Sequence, residues 1–288
     1  MPEGDTIFRA ARTLHRALAG HVVTRFDTAY APLARVHDDT PITGRTIDAV
    51  EAHGKHMVMR FSGDVTGPLA LRTHMRMHGS WHIYRPGERW QRPPRDMRIV
   101  VGTADFVAVA FNVPDAEFER GTDVGRRDAI AALGPDLLSP DFDAAEAVRR
   151  LRDRAGVPIA EALLDQRALA GIGNVFKSEV LFAGGVLPQA LVETVPDDTL
   201  ARLVDIARRQ LAVNVSDATP SFGRRTTGRM AVTEGLWVYG RGGRPCRRCA
   251  TPIAFARQGL GARPTYWCPR CQQGSPPLQQ EPRKAPGR

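Results

Sequence analysis

The chain opens Met1-Pro2-Glu3-Gly4-Asp5, and its four cysteines all fall in one late segment, Cys246-x2-Cys249, eighteen residues, then Cys268-x2-Cys271. Removal of Met1 would leave the ring nitrogen of Pro2 as a free secondary amine beside a carboxylate. An α-amino group titrates near roughly 8, well below lysine, so a useful fraction is neutral at physiological pH. A position at a helix N-terminus lowers it further, because the helix dipole disfavours a cation there. Such an amine can attack a sugar C1′ and form an iminium ion, dividing one difficult step into two. Glu3 is then the candidate general acid and base. On five residues alone the plain alternative is stronger, since proline and acids are ordinary in the first turn of a helix.

The cysteines carry a more specific signal. Each C-x-x-C sets two thiolates on one tight turn, the spacing of a tetrathiolate zinc site, with Cys246, Cys249, Cys268 and Cys271 as ligands. Four protein sulfurs close the coordination sphere, so the single Zn2+ would be structural. A third segment runs from Leu164 to Phe176. Gly171 and Gly173 flank Ile172 and break the helix there, after which Asn174 opens the next helix with its amides exposed, a natural seat for phosphate. The alternative is a helix-to-helix turn with an asparagine cap.

These residues need elements to hold them. Ile7, Ala10, Ala11, Leu14 and Leu18 follow helical spacing and Gly20 is a stop, so residues 3–19 read as an amphipathic helix with Pro2 at its first position. From Val22 to Phe111 the pattern turns to short strand-like runs (22–26, 46–50, 57–61, 69–71, 81–84, 98–101 and 106–111) separated by Gly, Pro and Asp, which predicts a β-sandwich or barrel. Helices are expected near 144–153, 158–166, 175–183 and 197–213, and a hairpin pairing 254–257 with 265–267. The fold class is therefore α+β multidomain: an N-terminal β-sandwich with a leading helix, then a helical domain, then a zinc-bound hairpin. The expected bounds are 1–121 for the N-terminal domain, 122–141 for a hinge containing Gly134-Pro135-Asp136, 142–233 for the helical domain, 234–272 for the zinc finger and 273–288 for a disordered tail rich in Gln, Pro and Gly.

Charge narrows the partner. The chain has 40 basic and 31 acidic residues, net +9, and between Ser221 and Gln272 ten arginines face a single acid, Glu234. A merely solvated face mixes both signs, so the bias favours a polyanion over a small acidic metabolite. Lysine occurs only at 55, 177 and 284, so a lysine retained where arginine is the habit marks a position. With no apolar run near eighteen residues and no secretory leader pattern, a soluble, cytoplasmic protein is expected.

Taken together, Pro2-Glu3-Gly4, the segment 163–179 and the ending Arg263-Pro264-Thr265-Tyr266-Trp267-Cys268-Pro269-x-Cys271 resemble the formamidopyrimidine-DNA glycosylase and endonuclease VIII family, in the family's order and over residues 1–272. The resemblance implies a monomeric, nucleoid-associated base-excision-repair enzyme on double-stranded DNA carrying oxidised bases or abasic sites. It would be both a glycosylase and an abasic-site lyase, with a helix-two-turn-helix domain and a flipped-out damaged nucleotide, because C1′ and the base edges cannot be reached inside a duplex. It makes Pro2 the Schiff-base nucleophile and Glu3 its acid–base partner. Lys55, Asn174 and Arg263 become grips on the DNA phosphates, and Arg76, Met77 and His78 fill the void left by the flipped nucleotide. Met77 as a plain core residue is the alternative. The opening and ending look closer to the endonuclease VIII branch, which implies oxidised pyrimidines. Two alternatives stand: the same chemistry on oxidised purines, or a catalytically silent damage-binding zinc-finger protein. Two departures from the family pattern are Thr6, where many members carry a glutamate whose part Asp5 would take, and a zinc loop longer than usual. Residues 216–233 are expected as a mobile loop whose Arg224, Arg225 and Arg229 meet either DNA or solvent.

Overall fold

The structure is a computed structural model describing residues 2–64, 67–120, 128–216, 223–229 and 231–272. The expected tail 273–288, residues 122–127 of the expected hinge and residues 217–222 of the expected loop lie outside the described residues. The chain divides into two compact units, Met1–Leu138 and Ser139–Arg288.

Unit 1 starts with helix α1 (Gly4–Leu18), which buries Ile7, Ala11, Leu14 and Leu18 along one stripe. Gly20, at φ 82°, turns the chain out of it. Pro2 does not occupy the first helical position. Glu3 has extended backbone (φ −125°, ψ −177°) and its carbonyl accepts the first helical bonds, from Thr6 N (2.9 Å) and Ile7 N (3.1 Å). Glu3 is thus the cap, and Pro2 precedes it.

Among the described residues of this unit, eight strands form two antiparallel sheets. One contains β1 (Arg25–Thr28), β5 (Ser80–Tyr84), β6 (Met97–Gly102) and β7 (Val107–Phe111) in the order β1-β6-β7-β5. The other contains β2 (Ile47–His53), β3 (His56–Asp64), β4 (Gly67–His74) and β8 (Asp115–Arg120) in the order β2-β3-β4-β8. Ile47, Met59, Phe61, Leu71, Ile99 and Val101 share one buried core with Ile7 and Leu14 of α1, so the expected sandwich with its leading helix is the observed one. The run expected from Val22 becomes a strand only at Arg25, and Val22 makes an isolated bridge to Thr46.

Two elements escape the pattern reading. Helix α2 (Ala31–Asp39) fully buries only Leu33 and so shows no apolar stripe. Strand β8 alternates acids with Ala116 and Phe118, and two of its three acids are spent on one cross-strand arginine: Arg72 of β4 donates Nε to Glu119 (2.8 Å) and Nη2 to Glu117 (2.6 Å).

Unit 2 contains α4 (Ala144–Arg152; a further short helix α3, Asp128–Ala131, belongs to unit 1), α5 (Ile159–Ala162), α6 (Asn174–Gly184) and α7 (Asp197–Val215), then β9 (Ala254–Gln258) paired antiparallel with β10 (Arg263–Trp267). Asp143 caps α4 by accepting from Glu146 N at 3.0 Å. The helix expected over 158–166 stops at Ala162, because Asp165 spends its carboxylate on Arg154 Nη2 (2.8 Å) and on the amide of Arg167 (2.9 Å), bonds that build a turn. Helix α6 is buried around its whole circumference, packed by α7 and β10. Among the described residues no helix is long and apolar enough to cross a membrane.

Because the apolar face of α1 packs into the sandwich core, Leu14→Ala is expected to destabilise the protein by about 2–5 kcal/mol. Chemical denaturation would measure it; a loss well under about 1 kcal/mol would show that this face does not anchor the helix.

Candidate active site and zinc centre

In unit 1, Pro2 is half-buried and Glu3 is completely enclosed at the N-terminus of α1. Asp5 is buried in the first turn of the helix and accepts from the Thr6 hydroxyl at 3.3 Å, so the acid beside the divergent Thr6 is bonded to it. Lys55 sits in a two-residue loop between β2 and β3, whose last ladder pair is His53 with His56. Gly54 supplies the left-handed residue (φ 58°) that such a loop needs at its first position. The amide of Gly54 donates to Asp136 Oδ2 at 2.7 Å.

Behind Lys55 lies a pair of histidines on neighbouring strands. His56 and His74 are directly opposite across β3 and β4, ring centroids 4.8 Å apart, edge to face. Burial, then His74 and the Arg72 and Arg76 guanidiniums, pushes His56 down to about 3. Burial and Arg76, partly offset by Asp115 and reinforced by Lys55, pushes His74 down to about 4. Both imidazoles are neutral in the folded protein, which leaves Lys55 and the arginines as the cations of this corner.

The loop joining β4 to β5 holds Arg76, Met77 and His78 outward while Met75 is buried. Met77 is 56% exposed, which overturns its reading as a core residue. The bend depends on Gly79: a Cβ there would stand 2.5 Å from the Met75 carbonyl oxygen. Arg76 takes φ 48° and its guanidinium pairs with Asp115. With Tyr30, Arg98, Asn112 and Pro114, these three residues line a concavity of about 590 Å³. Asn112 is itself left-handed at φ 50°, so two non-glycine residues in an uncommon conformation border one cavity, as happens where function holds a backbone in place.

In unit 2, Gln166 staples the glycine turn: its Nε2 donates to Leu164 O (2.9 Å) and Ile172 O (3.0 Å), and its Oε1 accepts from Gly171 N (3.1 Å). Gly171 is left-handed at φ 105°, whereas Gly173 is extended and serves as the cap of α6. Asn174 is therefore the first helical residue and not the cap. It is 4% exposed, and Gly173 and Val175 beside it are buried too, so the expectation of exposed amides is corrected; α6 is the central helix of this unit and its first turn lies inside. Arg263 is exposed at the start of β10, two residues after a Gly261 whose backbone leaves the guanidinium room.

Two residues that sequence reading left without a role tie these parts together. Lys177 is 1% exposed and donates from Nζ to Thr265 Oγ1 (2.7 Å), the Pro264 carbonyl (3.2 Å) and Asn174 Oδ1 (3.5 Å). Its signal was its rarity as a lysine. Glu179 is fully buried; its carboxylate accepts from the amides of Trp237 (2.8 Å), Val238 (2.9 Å) and Tyr239 (2.8 Å) and from the Thr226 hydroxyl. That carboxylate joins α6 to the entry of the zinc finger and to the segment 223–229. In that segment the Arg225 amide donates to Asn214 Oδ1 (2.8 Å) and its carbonyl accepts from Asn214 Nδ2 (2.7 Å), Arg224 lies over the Phe176 ring and Arg229 reaches Glu234 at 3.3 Å.

The sulfurs of Cys246, Cys249, Cys268 and Cys271 lie within 4.8 Å of one another, with Cys246 and Cys271 at 3.9 Å and Cys249 at 3.4 Å from both Cys268 and Cys271. A tetrahedron with Zn–S bonds of about 2.3 Å has edges of about 3.8 Å, so the four fit one zinc. Bonds from Thr251 hold Cys249 down to about 6, while burial and the other sulfurs push Cys271 up, as expected for thiols crowded into a site that a dication would turn into thiolates.

Residues 1–114 match the formamidopyrimidine-DNA glycosylase N-terminal domain, residues 133–222 the H2TH domain of the same glycosylase, and residues 243–274 a zinc finger found in FPG and IleRS. Over 280 residues the chain is 46% identical to the probable endonuclease 8 2 of Streptomyces coelicolor, covering 96% of both chains. The chain belongs to the formamidopyrimidine-DNA glycosylase and endonuclease VIII family. It is also 42% identical to the DNA-(apurinic or apyrimidinic site) lyase Nei2 of Mycolicibacterium smegmatis, over 96% of this chain and 100% of that one. The fold is that of the Lactococcus lactis Fpg solved with abasic-site DNA (TM-score 0.78, 23% identity, covering 95% of this chain and 100% of that one). The family resemblance, the α+β architecture and the zinc-bound hairpin read from sequence are all borne out.

Two outcomes follow from this geometry. Both histidines protonate near 6.5 in an unfolded chain and only near 3 to 4 in the folded one, so between those limits the unfolded state binds more protons. Their contribution to stability is complete above about pH 6.5 and is lost as pH falls toward 4. The thermal midpoint is expected to drop across that window, and His74→Asn to flatten the drop; an unaltered pH profile in the variant would refute it. Separately, a chelator strong enough to remove one zinc per chain is expected to lower the unfolding midpoint by several degrees, read by calorimetry beside metal analysis, with recovery on adding zinc back.

Proposed function

We propose that this protein is a bifunctional DNA glycosylase and abasic-site lyase of base-excision repair, working on chromosomal DNA in the cytoplasm as a monomer. The observation that carries the reading is the enclosed Glu3 carboxylate next to Pro2 at the start of α1, in a chain whose curated relatives along nearly its whole length are endonuclease 8 proteins and an abasic-site lyase.

With Met1 removed, the Pro2 nitrogen attacks C1′ of the damaged nucleotide as the bond to the base breaks, and the departing base takes a proton from Glu3. The sugar ring then opens at the C1′–O4′ bond, O4′ taking the proton that the nitrogen gives up, and the iminium so formed acidifies the C2′ hydrogens. Loss of one of them to a base expels the 3′ phosphate, and a second elimination expels the 5′ phosphate. Water then returns the free amine. Lys55 grips a DNA phosphate from the β2–β3 loop, and Asn174 and Arg263 do so from unit 2, with Lys177 bonded to the Asn174 carboxamide and to the backbone next to Arg263. Arg76, Met77 and His78 fill the gap in the stack: an apolar side chain flanked by two polar ones can both stack on neighbouring bases and bond the unpaired one. The zinc stiffens the hairpin that carries Arg263 and takes no part in the chemistry. We assign the bounds 1–121, 122–141, 142–233, 234–272 and 273–288 to the catalytic domain, hinge, helix-two-turn-helix domain, zinc finger and tail.

The endonuclease 8 names of the relatives favour oxidised pyrimidines as the lesions removed. Borohydride reduction during reaction with duplexes bearing thymine glycol, dihydrouracil or 8-oxoguanine tests both parts. A covalent adduct is expected with the parent protein, most rapidly on the pyrimidine lesions, and none with Pro2→Gly or with a blocked N-terminus. An adduct that survives loss of the Pro2 ring nitrogen would defeat the mechanism; faster trapping on 8-oxoguanine would reverse the lesion assignment.

A further inference from the structure

The Gly54-Lys55 tip is bonded to more than its own hairpin. Ladder pairing fixes β2 against β3 only as far as His53 and His56, and beyond that a two-residue tip can still tilt about the strand ends. The buried Gly54 donates its amide to Asp136, 82 residues further along the chain, at 2.7 Å. The other oxygen of the same carboxylate accepts from Leu138 N at 2.9 Å, closing an Asx turn that fixes the Asp136 side chain. Leu137, between them, is 1% exposed and anchors that turn. Asp136 belongs to the Gly134-Pro135-Asp136 stretch, to which neither the zinc centre nor the chemistry assigns a part. A carboxylate accepting two backbone N–H groups is a charge-assisted clamp, stronger than a neutral contact.

We infer that Asp136 is a positioning residue for Lys55: clamped by Leu138, its carboxylate holds the Gly54 amide and so sets the direction in which the hairpin tip presents the Lys55 ammonium to a DNA phosphate. The inference rests on the reading of Lys55 as a phosphate grip. It makes the last residues of unit 1, just before the chain enters unit 2, part of the apparatus that seats DNA. A carboxylate that merely sat near DNA would do the reverse of what is expected here, since removing a negative charge strengthens attraction to a polyanion.

The salt dependence of binding separates these effects. Affinity for a duplex carrying a tetrahydrofuran abasic analogue is measured over a range of salt for the parent, Lys55→Ala, Asp136→Ala and the double variant. Loss of one phosphate contact lowers the slope of log K against log salt by about 0.9. Lys55→Ala is expected to show that loss, Asp136→Ala most of it, and the double variant no more than Lys55→Ala alone, because the two act through one contact. Asp136→Asn removes the same charge yet keeps one acceptor oxygen, and serves if the alanine variant fails to fold; its slope is expected between those of the parent and Lys55→Ala. A parental slope in the Asp136 variants, with a lowered one in Lys55→Ala, overturns the inference and leaves the role of Lys55 intact. So does an Asp136 effect that persists undiminished when Lys55 is absent. A parental slope in Lys55→Ala overturns the reading of Lys55, and the inference with it.

Discussion

A helix that carries asparagine, lysine, serine and glutamate into the interior of a domain must find a partner for each, because an unpaired polar group away from water costs about as much as several good contacts return. Helix α6 meets that constraint by recruiting its surroundings. Lys177 takes the backbone and a hydroxyl of β10, Ser178 accepts from Tyr266 N at 3.4 Å, and Glu179 takes three successive amides at the entry to the zinc finger. Lys177, Ser178 and Glu179 thus tie the hairpin and the segment 223–229 to one buried helix. The four cysteines flank the same hairpin, and Phe182 of α6 packs against them.

Unit 1 solves a different problem. Its first residues belong to the kind of segment that in most proteins is poorly ordered unless tied down. Here fifteen residues of helix with an apolar stripe follow immediately, and that stripe is part of the sandwich core. The ring of Pro2 lies outside the helix, one residue before the cap, still close enough for the dipole to disfavour a cation and clear of the backbone bonds that a helical residue would make.

Much of this was legible in the sequence because the signals were local. Helical spacing gave α1, α4, α6 and α7 within a residue or two, strict cysteine spacing gave the metal site, and glycine punctuation gave the hairpins. The misses share a cause, which is dependence on partners remote in the chain. Strand β8 reads as polar until two of its acids are matched with Arg72 across the sheet, and α2 has one fully buried side chain where a stripe would be needed. The helix expected over 158–166 stops early because Asp165 is claimed by Arg154. Lys177 and Glu179 lay inside a segment already singled out, yet nothing local tells that their side chains point inward. Met77 is not among the misses: it is expected in a void-filling loop with a core position as the alternative, and its exposure removes that alternative.

The scarcity of lysine has a chemical consequence that the enclosure of Lys177 sharpens. Once Met1 is gone, the sequence holds four aliphatic amines, at Pro2, Lys55, Lys177 and Lys284, and one of these is sealed within a helix core. Acylating reagents offered to the native protein therefore meet few competing amines, because its cations are almost all guanidinium groups, which such reagents leave largely unmodified.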